Sequence, residues 1–165
     1  MKKFFTVKNL CLSGIIAALY AGLTILLQAI SFGPVQIRVS EAMTLLPLIT
    51  PAAVPGLAIG CMLANLLTGS VFYDILFGSI ATLLGALGTY ALRKFTLRRV
   101  RFLLPLTTIL ANILIVPFVL QYAYHVPDAW WFLCLTVGIG EVIAAGVGGV
   151  LMSFLLEKYR GVLFR

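Results

Sequence analysis

The stretch Ser40-Glu41-Ala42-Met43-Thr44-Leu45-Leu46-Pro47-Leu48-Ile49 decides how this chain is built. It is apolar, short and interrupted by a proline. Longer apolar segments flank it: Asn9–Ile30 before, and Ala53–Thr68, Asp74–Arg93, Arg101–Tyr122 and Ala129–Glu157 after. A membrane-spanning helix needs about 20 residues, so the short stretch is the ambiguous one. If it does not cross, the chain has five spans, and the basic Arg93–Arg101 loop lies on the opposite side from the basic N-terminus. That breaks the rule that basic loops stay on the cytoplasmic side. If a helix over about residues 36–49 does cross, every basic cluster moves to one side. The sequence therefore predicts an all-α, polytopic membrane protein of six transmembrane helices, with both termini cytoplasmic and residues 1–165 forming a single membrane domain.

The charges carry that count. Eleven of the twelve basic residues fall in three clusters: Lys2, Lys3 and Lys8; Arg93, Lys94, Arg98, Arg99 and Arg101; Lys158, Arg160 and Arg165. Only Arg38 stands alone, and the five acids, Glu41, Asp74, Asp128, Glu141 and Glu157, are scattered. The net charge of +7 thus marks topology rather than a nucleic-acid surface. Composition agrees. The 165 residues are 62% hydrophobic and 10% charged, with mean hydropathy +1.12, whereas soluble domains carry about 25% charge. A soluble, disordered or disulfide-stapled fold is excluded.

Local features fit the same plan. Pro47, Pro51 and Pro55 bracket the break after helix two, because proline ends helices. Ser40 suits its N-cap and Glu41 its first turn. Ten residues rise only about 15 Å as an α-helix, so helix two must begin earlier, near Val35, or be short and sheltered by protein. Lys2 and Lys3 before an apolar run resemble a signal peptide, but the run continues to Ile30, too long for one; a retained first helix is expected. Cys11, Cys61 and Cys134 are far apart in apolar context and suit neither a metal site nor a disulfide framework; they read as buried packing residues. Small residues recur at four-residue spacing, in helix one as Gly14, Ala18 and Gly22 beside Ala17 and Ala21, and later as Gly56, Gly60 and Ala64. Such faces let helices approach closely in lipid.

Several chemistries are absent. No glycine-rich nucleotide loop ending in Lys-Ser/Thr is present, so ATP hydrolysis is not expected. The single histidine, His125, cannot build a zinc pair, the serine nucleophile elbow is missing, and no acid or histidine cluster suggests a membrane enzyme. What remains is a polar and aromatic set: Gln36, Arg38, Glu41, Asn65, Tyr73, Asp74, Asn112, Trp130, Trp131 and Glu141, with Gln121, Tyr122, Tyr124 and His125 nearby. Glu141 lies about twelve residues into the last helix, roughly 18 Å deep at 1.5 Å per residue. An ionisable group at such depth is costly and points to function. The tryptophans equally suit an interfacial aromatic belt, and Arg38 with Glu41 a headgroup-level ion pair.

Three stretches carry a family likeness: Gln36-Ile37-Arg38-Val39-Ser40-Glu41-Ala42, Pro51-Ala52-Ala53-Val54-Pro55-Gly56-Leu57 running on to Gly60-Cys61-Met62-Leu63-Ala64-Asn65, and Asp74-Ile75-Leu76-Phe77-Gly78-Ser79-Ile80-Ala81-Thr82-Leu83. The chain resembles the QueT family, substrate-binding S components of energy-coupling factor (ECF) transporters. The likeness covers essentially the whole chain and is most specific from Phe32 to Leu84. It implies a transport subunit that captures a queuosine precursor, a 7-deazaguanine such as preQ1, preQ0 or queuine. It also implies a transmembrane T component and two ABC-type ATPases as partners, and no cofactor. S components carry an Ala-x-x-x-Ala docking motif in helix one, and Ala17 and Ala21 fit it.

Such a ligand offers a flat face, a donor pair and a carbonyl. Glu41 or Glu141 would accept the donor pair. Asn65, Asn112, Gln36 or Arg38 would serve the carbonyl. Tyr73, Trp130 or Trp131 would stack on the ring, and an ammonium would want Asp74. The residues leave the two glutamates unranked. An S component for another vitamin, or a stand-alone secondary carrier, stays open.

Overall fold

The computed structural model describes residues 6–31, 36–96, 103–154 and Lys158. Basic residues Lys2, Lys3, Arg98, Arg99, Arg101, Arg160 and Arg165, the acid Glu157 and the segment 32–35 lie outside these. Among the described residues all regular structure is helical: α1 (Val7–Leu26), a one-turn α2 (Gln28–Ser31), a 3₁₀ helix (Val39–Leu48), α3 (Ala53–Leu67), α4 (Phe72–Thr96), α5 (Leu106–Tyr122) and α6 (Trp130–Glu141). The last helix continues through a π-helical segment, Val142–Gly148, to Phe154. Among the described residues three helices are long and apolar enough to cross a bilayer, Val7–Leu26, Phe72–Arg93 and Trp130–Phe154.

Helix two departs from the sequence expectation. It is a 3₁₀ helix beginning at Val39 and not a helix over 36–49; Gln36, Ile37 and Arg38 are non-helical. At about 2.0 Å per residue, its ten residues rise only about 20 Å, short of the roughly 30 Å hydrocarbon thickness. It is therefore sheltered. Every residue from Ser40 to Pro47 is buried. Pro47 has no N–H to give to an α-helical ladder, and the Thr44 hydroxyl donates to the Glu41 carbonyl at 2.6 Å, holding the tight turn. Helix one also differs, ending at Leu26 with Leu27 outside helical geometry. The described part of helix five begins at Leu106.

The helices pack through small residues. α1 lies on α3, α3 on α4, α4 on α5 and α5 on α6, while the 3₁₀ helix is wedged against α4 and the π segment. A Cβ on Gly60 would sit 2.8 Å from Tyr20 Cβ and 2.9 Å from the Ala17 carbonyl, and one on Gly56 2.7 Å from the Ser13 carbonyl. These glycines set how closely α3 meets α1. The apolar core comprises Ile16, Tyr20, Met43, Leu46, Leu57 and Cys61 with their neighbours.

The bundle is polar inside and apolar outside. Arg38, Glu41, Asn65, Asp74, Asn112 and Glu141 are all at most 4% exposed, while Leu10, Leu26, Leu67, Trp131 and Leu151 are at least 60% exposed. Cys61 is buried as expected, but Cys11 is exposed and Cys134 only partly covered. In an apolar solvent a thiol needs no cover, so burial was not required of Cys11.

Candidate functional site

The 3₁₀ helix delivers Glu41 to the middle of the bundle. Its Oε1 accepts from the Tyr20 hydroxyl of α1 and, at 2.9 Å, from the Thr82 hydroxyl of α4. Its neighbour Ser40 shares a 2.7 Å hydroxyl contact with Thr24. Two donors on one oxygen clamp the carboxylate while leaving Oε2 with no hydrogen-bond partner among the described residues.

Arg38, just before the 3₁₀ helix, reaches Asp74 in the first turn of α4, with Nη2 and Oδ1 3.7 Å apart. Asp74 is well placed there, since helix N-termini favour acids. Asn65 of α3 donates to the Asp74 carbonyl at 3.0 Å, and its Oδ1 has no partner among the described residues. Gly78 makes room for this group. A Cβ there would stand 2.9 Å from Asn65 Nδ2 and 3.3 Å from Asp74 Oδ1.

Glu141 enters from the other side, where α6 passes into the π segment. π-Helical turns occur often at functional sites. Here Gly148 and Gly149 let the segment lie against Ala42 and Leu45 of the 3₁₀ helix, with Cβ distances of 3.2 and 3.0 Å. Asn112 of α5 faces Glu141 and donates to the Thr108 carbonyl at 3.2 Å. Glu141 Oε2 has no partner among the described residues. The interior thus holds three unsatisfied acceptors on three different elements, Glu41 Oε2, Asn65 Oδ1 and Glu141 Oε2. A buried unsatisfied acceptor costs about 1–3 kcal/mol, and a ligand bearing donors removes that cost.

Adjoining this cluster at Asp74 lies a cavity of about 640 Å³, lined by Gln28, Gln36, Ser70, Tyr124, Asp128 and Thr136 and by the apolar Leu120, Val126, Phe132 and Leu133. Tyr124 donates to Asp74 Oδ2 at 3.1 Å. Partial burial, together with the facing Asp74 carboxylate, holds the Tyr124 phenol above its ordinary pKa.

The structure therefore brings together Arg38, Glu41, Asn65, Asp74, Asn112 and Glu141, with Gln36 at the cavity wall. It does not bring in the aromatic residues. Tyr73 is 59% exposed, Trp130 41% and Trp131 68%. Tyr73 lines a different, outward groove with Phe77 and Phe118, Trp130 packs on Phe118 at 5.6 Å, and Trp131 meets Phe132. Helix periodicity turns these rings outward, the placement of an aromatic belt. Ala17 and Ala21 are 4% and 6% exposed and pack within the bundle, Ala17 directly under Gly60 of α3. The small residues that α1 turns outward are Gly14, Ala18 and Gly22. Partner docking through Ala17 and Ala21 would require α1 to part from α3. Tyr20 and Thr82 were not among the expected site residues; a tyrosine or threonine within a long apolar helix carries no distinctive signal. Among the described residues no cluster of three or more metal-ligating side chains occurs.

Long apolar helices whose outer faces are hydrophobic and whose interior gathers one guanidinium and three carboxylates define a helical membrane protein with an internal polar site. A family model described as QueT transporter matches residues 10–158. The chain belongs to the QueT transporter family. It is 39% identical over 71 residues to the Queuosine precursor transporter QueT of Lactococcus lactis subsp. cremoris (strain MG1363), a match covering 42% of this chain and 41% of that relative's length. No solved structure matches.

Proposed function

We propose that this chain is the substrate-capturing S component of an ATP-driven ECF importer, and that its cargo is a queuosine precursor of the 7-deazaguanine type. Family membership supports transport, and the printed function of the Lactococcus relative supports the cargo. The observation that carries the binding site is the trio of unsatisfied buried acceptors. A 7-deazaguanine presents a ring N–H and an exocyclic amino group along one edge, and a carboxylate accepts such a pair. Glu41, Asn65 and Glu141 receive these donors in this reading. Arg38, held by Asp74, serves the carbonyl.

The charge clusters support six spans, both termini cytoplasmic and the Asp74–Asp128 end outside the cell, with the whole chain acting as one membrane domain. Capture occurs from outside, the segment from Gln36 to Arg38 closes over the ligand, and reorientation against a T component delivers it inward. Two partner ATPases reset the cycle. The protein itself breaks no covalent bond.

The test is thermal stabilisation of the purified protein by a panel of 7-deazaguanines, guanine, riboflavin, thiamine and biotin, since a ligand of the native state stabilises it by mass action. Stabilisation by 7-deazaguanines is expected. A response confined to one of the vitamins would keep the architecture and overturn the cargo. Wild-type affinity in both Glu41→Gln and Glu141→Gln would remove the buried cluster as the site.

A further inference from the structure

We infer that the 640 Å³ cavity is the second half of the binding site and holds a hydroxylated appendage of the ligand, the flat ring lying deeper against Glu41, Asn65 and Glu141. The inference rests on the function proposed above and narrows its cargo to precursors that carry a diol or sugar.

Continuity comes first. Asp74 lines the cavity and belongs to the buried cluster through Arg38 and Asn65. Thr136 lines the cavity, and Glu141 lies five residues further along the same helix, about 7–8 Å deeper at 1.5 Å per residue. A fused two-ring system bridges such a depth. A ligand whose ring edge meets the deep acceptors therefore projects its substituent into the cavity.

Size comes second. Small-molecule sites run from about 300 to 1,000 Å³, and this cavity alone, at about 640 Å³, falls inside that range. An aminomethyl or nitrile group has two heavy atoms and leaves nearly all of the cavity to water. A cyclopentenediol or a ribose occupies a real share of it.

The lining comes third. Leu120, Val126, Phe132 and Leu133 give the cavity an apolar wall suited to a carbon ring, and Gln28, Gln36, Thr68, Ser70, Tyr124 and Thr136 set amides and hydroxyls into it, groups that both donate and accept. They match hydroxyls, which also do both, better than an ammonium, which only donates. Of the two lining carboxylates, Asp74 already faces Arg38 and Tyr124. Asp128 is exposed at the rim, and an acid is the usual anchor of a vicinal diol, as at the ribose of dinucleotide sites.

The test is equilibrium binding to wild type and to Asp128→Asn and Thr136→Val, using preQ1, preQ0, queuine and its nucleoside as probes. Neither substituted residue is in the apolar core. Queuine or its nucleoside is expected to bind at least about tenfold more tightly than preQ1, one hydrogen bond to a carboxylate being worth about that factor. Each substitution is expected to weaken the hydroxylated ligand about tenfold while leaving preQ1 within about twofold, which also reports that the variant is folded. PreQ1 binding most tightly, or substitutions that weaken all probes alike, would overturn the inference and leave the proposed function standing. No binding of any 7-deazaguanine by wild type would overturn both.

Discussion

Gly140→Ala tests the geometry that joins the two halves of the buried cluster. A Cβ on Gly140 would stand 2.2 Å from the Gln36 carbonyl oxygen and 2.9 Å from its carbon. Ordinary contact begins at 3.4 Å, so α6 and the Gln36 peptide must separate by about 1.2 Å, and the obstacle is backbone, which cannot rotate away. Overpacking of this kind costs about 1–3 kcal/mol. Replacing a glycine inside a helix otherwise gains about 0.5–1 kcal/mol, so the net effect stays destabilising. The chain leads directly from Gln36 to Arg38 and Glu41, and from Gly140 to Glu141, so the same movement pulls the acceptors apart. Gly14→Ala and Gly22→Ala are the controls, because nothing lies within 4 Å of a Cβ at either. In detergent, Gly140→Ala is expected to melt a few degrees lower, about 2–4 °C per kcal/mol at this size, and to bind ligand at least about tenfold more weakly, the factor that 1.4 kcal/mol represents. The controls are expected to match or exceed wild type. A Gly140→Ala protein that melts and binds like wild type would show that the Gln36 peptide does not rest on α6.

Tyr20→Phe keeps the ring but removes a donor from Glu41 Oε1; it is expected to weaken ligand binding by about 1–2 kcal/mol, as is Thr82→Val, with the double variant losing less than the sum because both act on one atom. Double-mutant binding measurements check this. Arg38→Ala leaves Asp74 buried without its ion-pair partner and is expected to cost about 3–5 kcal/mol of stability; adding Asp74→Asn should recover most of it, read as melting temperature and yield of monodisperse protein. Tyr124 donates to Asp74 only as the neutral phenol, and its pKa lies above the ordinary value. Its contribution is therefore complete below about pH 10 and is lost as pH rises through the higher folded value. Wild type should exceed Tyr124→Phe by under about 1 kcal/mol at neutral pH, solvent screening included, and the two should converge in strong alkali.

Much of the buried polar cluster was legible because ionisable residues are rare in this chain. Arg38, Glu41, Asp74 and Glu141 stand out against apolar surroundings, and placing any of them in lipid is costly enough that they must meet inside. Asn65 and Asn112 follow for the same reason. Which face a residue occupies was less legible where either face is tolerable. Tyr73, Trp130 and Trp131 are amphipathic and sit at ease on the rim, so their presence did not reveal that they turn outward. Ala17 and Ala18 are adjacent in sequence, and only the crossing of Gly60 decides that Ala17 is inside. Tyr20 and Thr82 resemble ordinary helix residues until Glu41 is brought between them. The 3₁₀ and π geometries were illegible because they arise from tertiary wedging around Pro47 and Gly148–Gly149, not from propensity. The shortness of helix two was readable from length alone.

That shortness bears on how the protein enters the membrane. Val39–Leu48 is too brief to hold itself across a bilayer, and it carries Glu41, a residue type that resists insertion. Its place is secured by Tyr20 of α1, Thr82 of α4 and Thr108 of α5, the last two synthesised after it. Stable seating of the segment must therefore wait for later helices, and the Glu41 carboxylate is among the last parts of the bundle to be locked in during biogenesis.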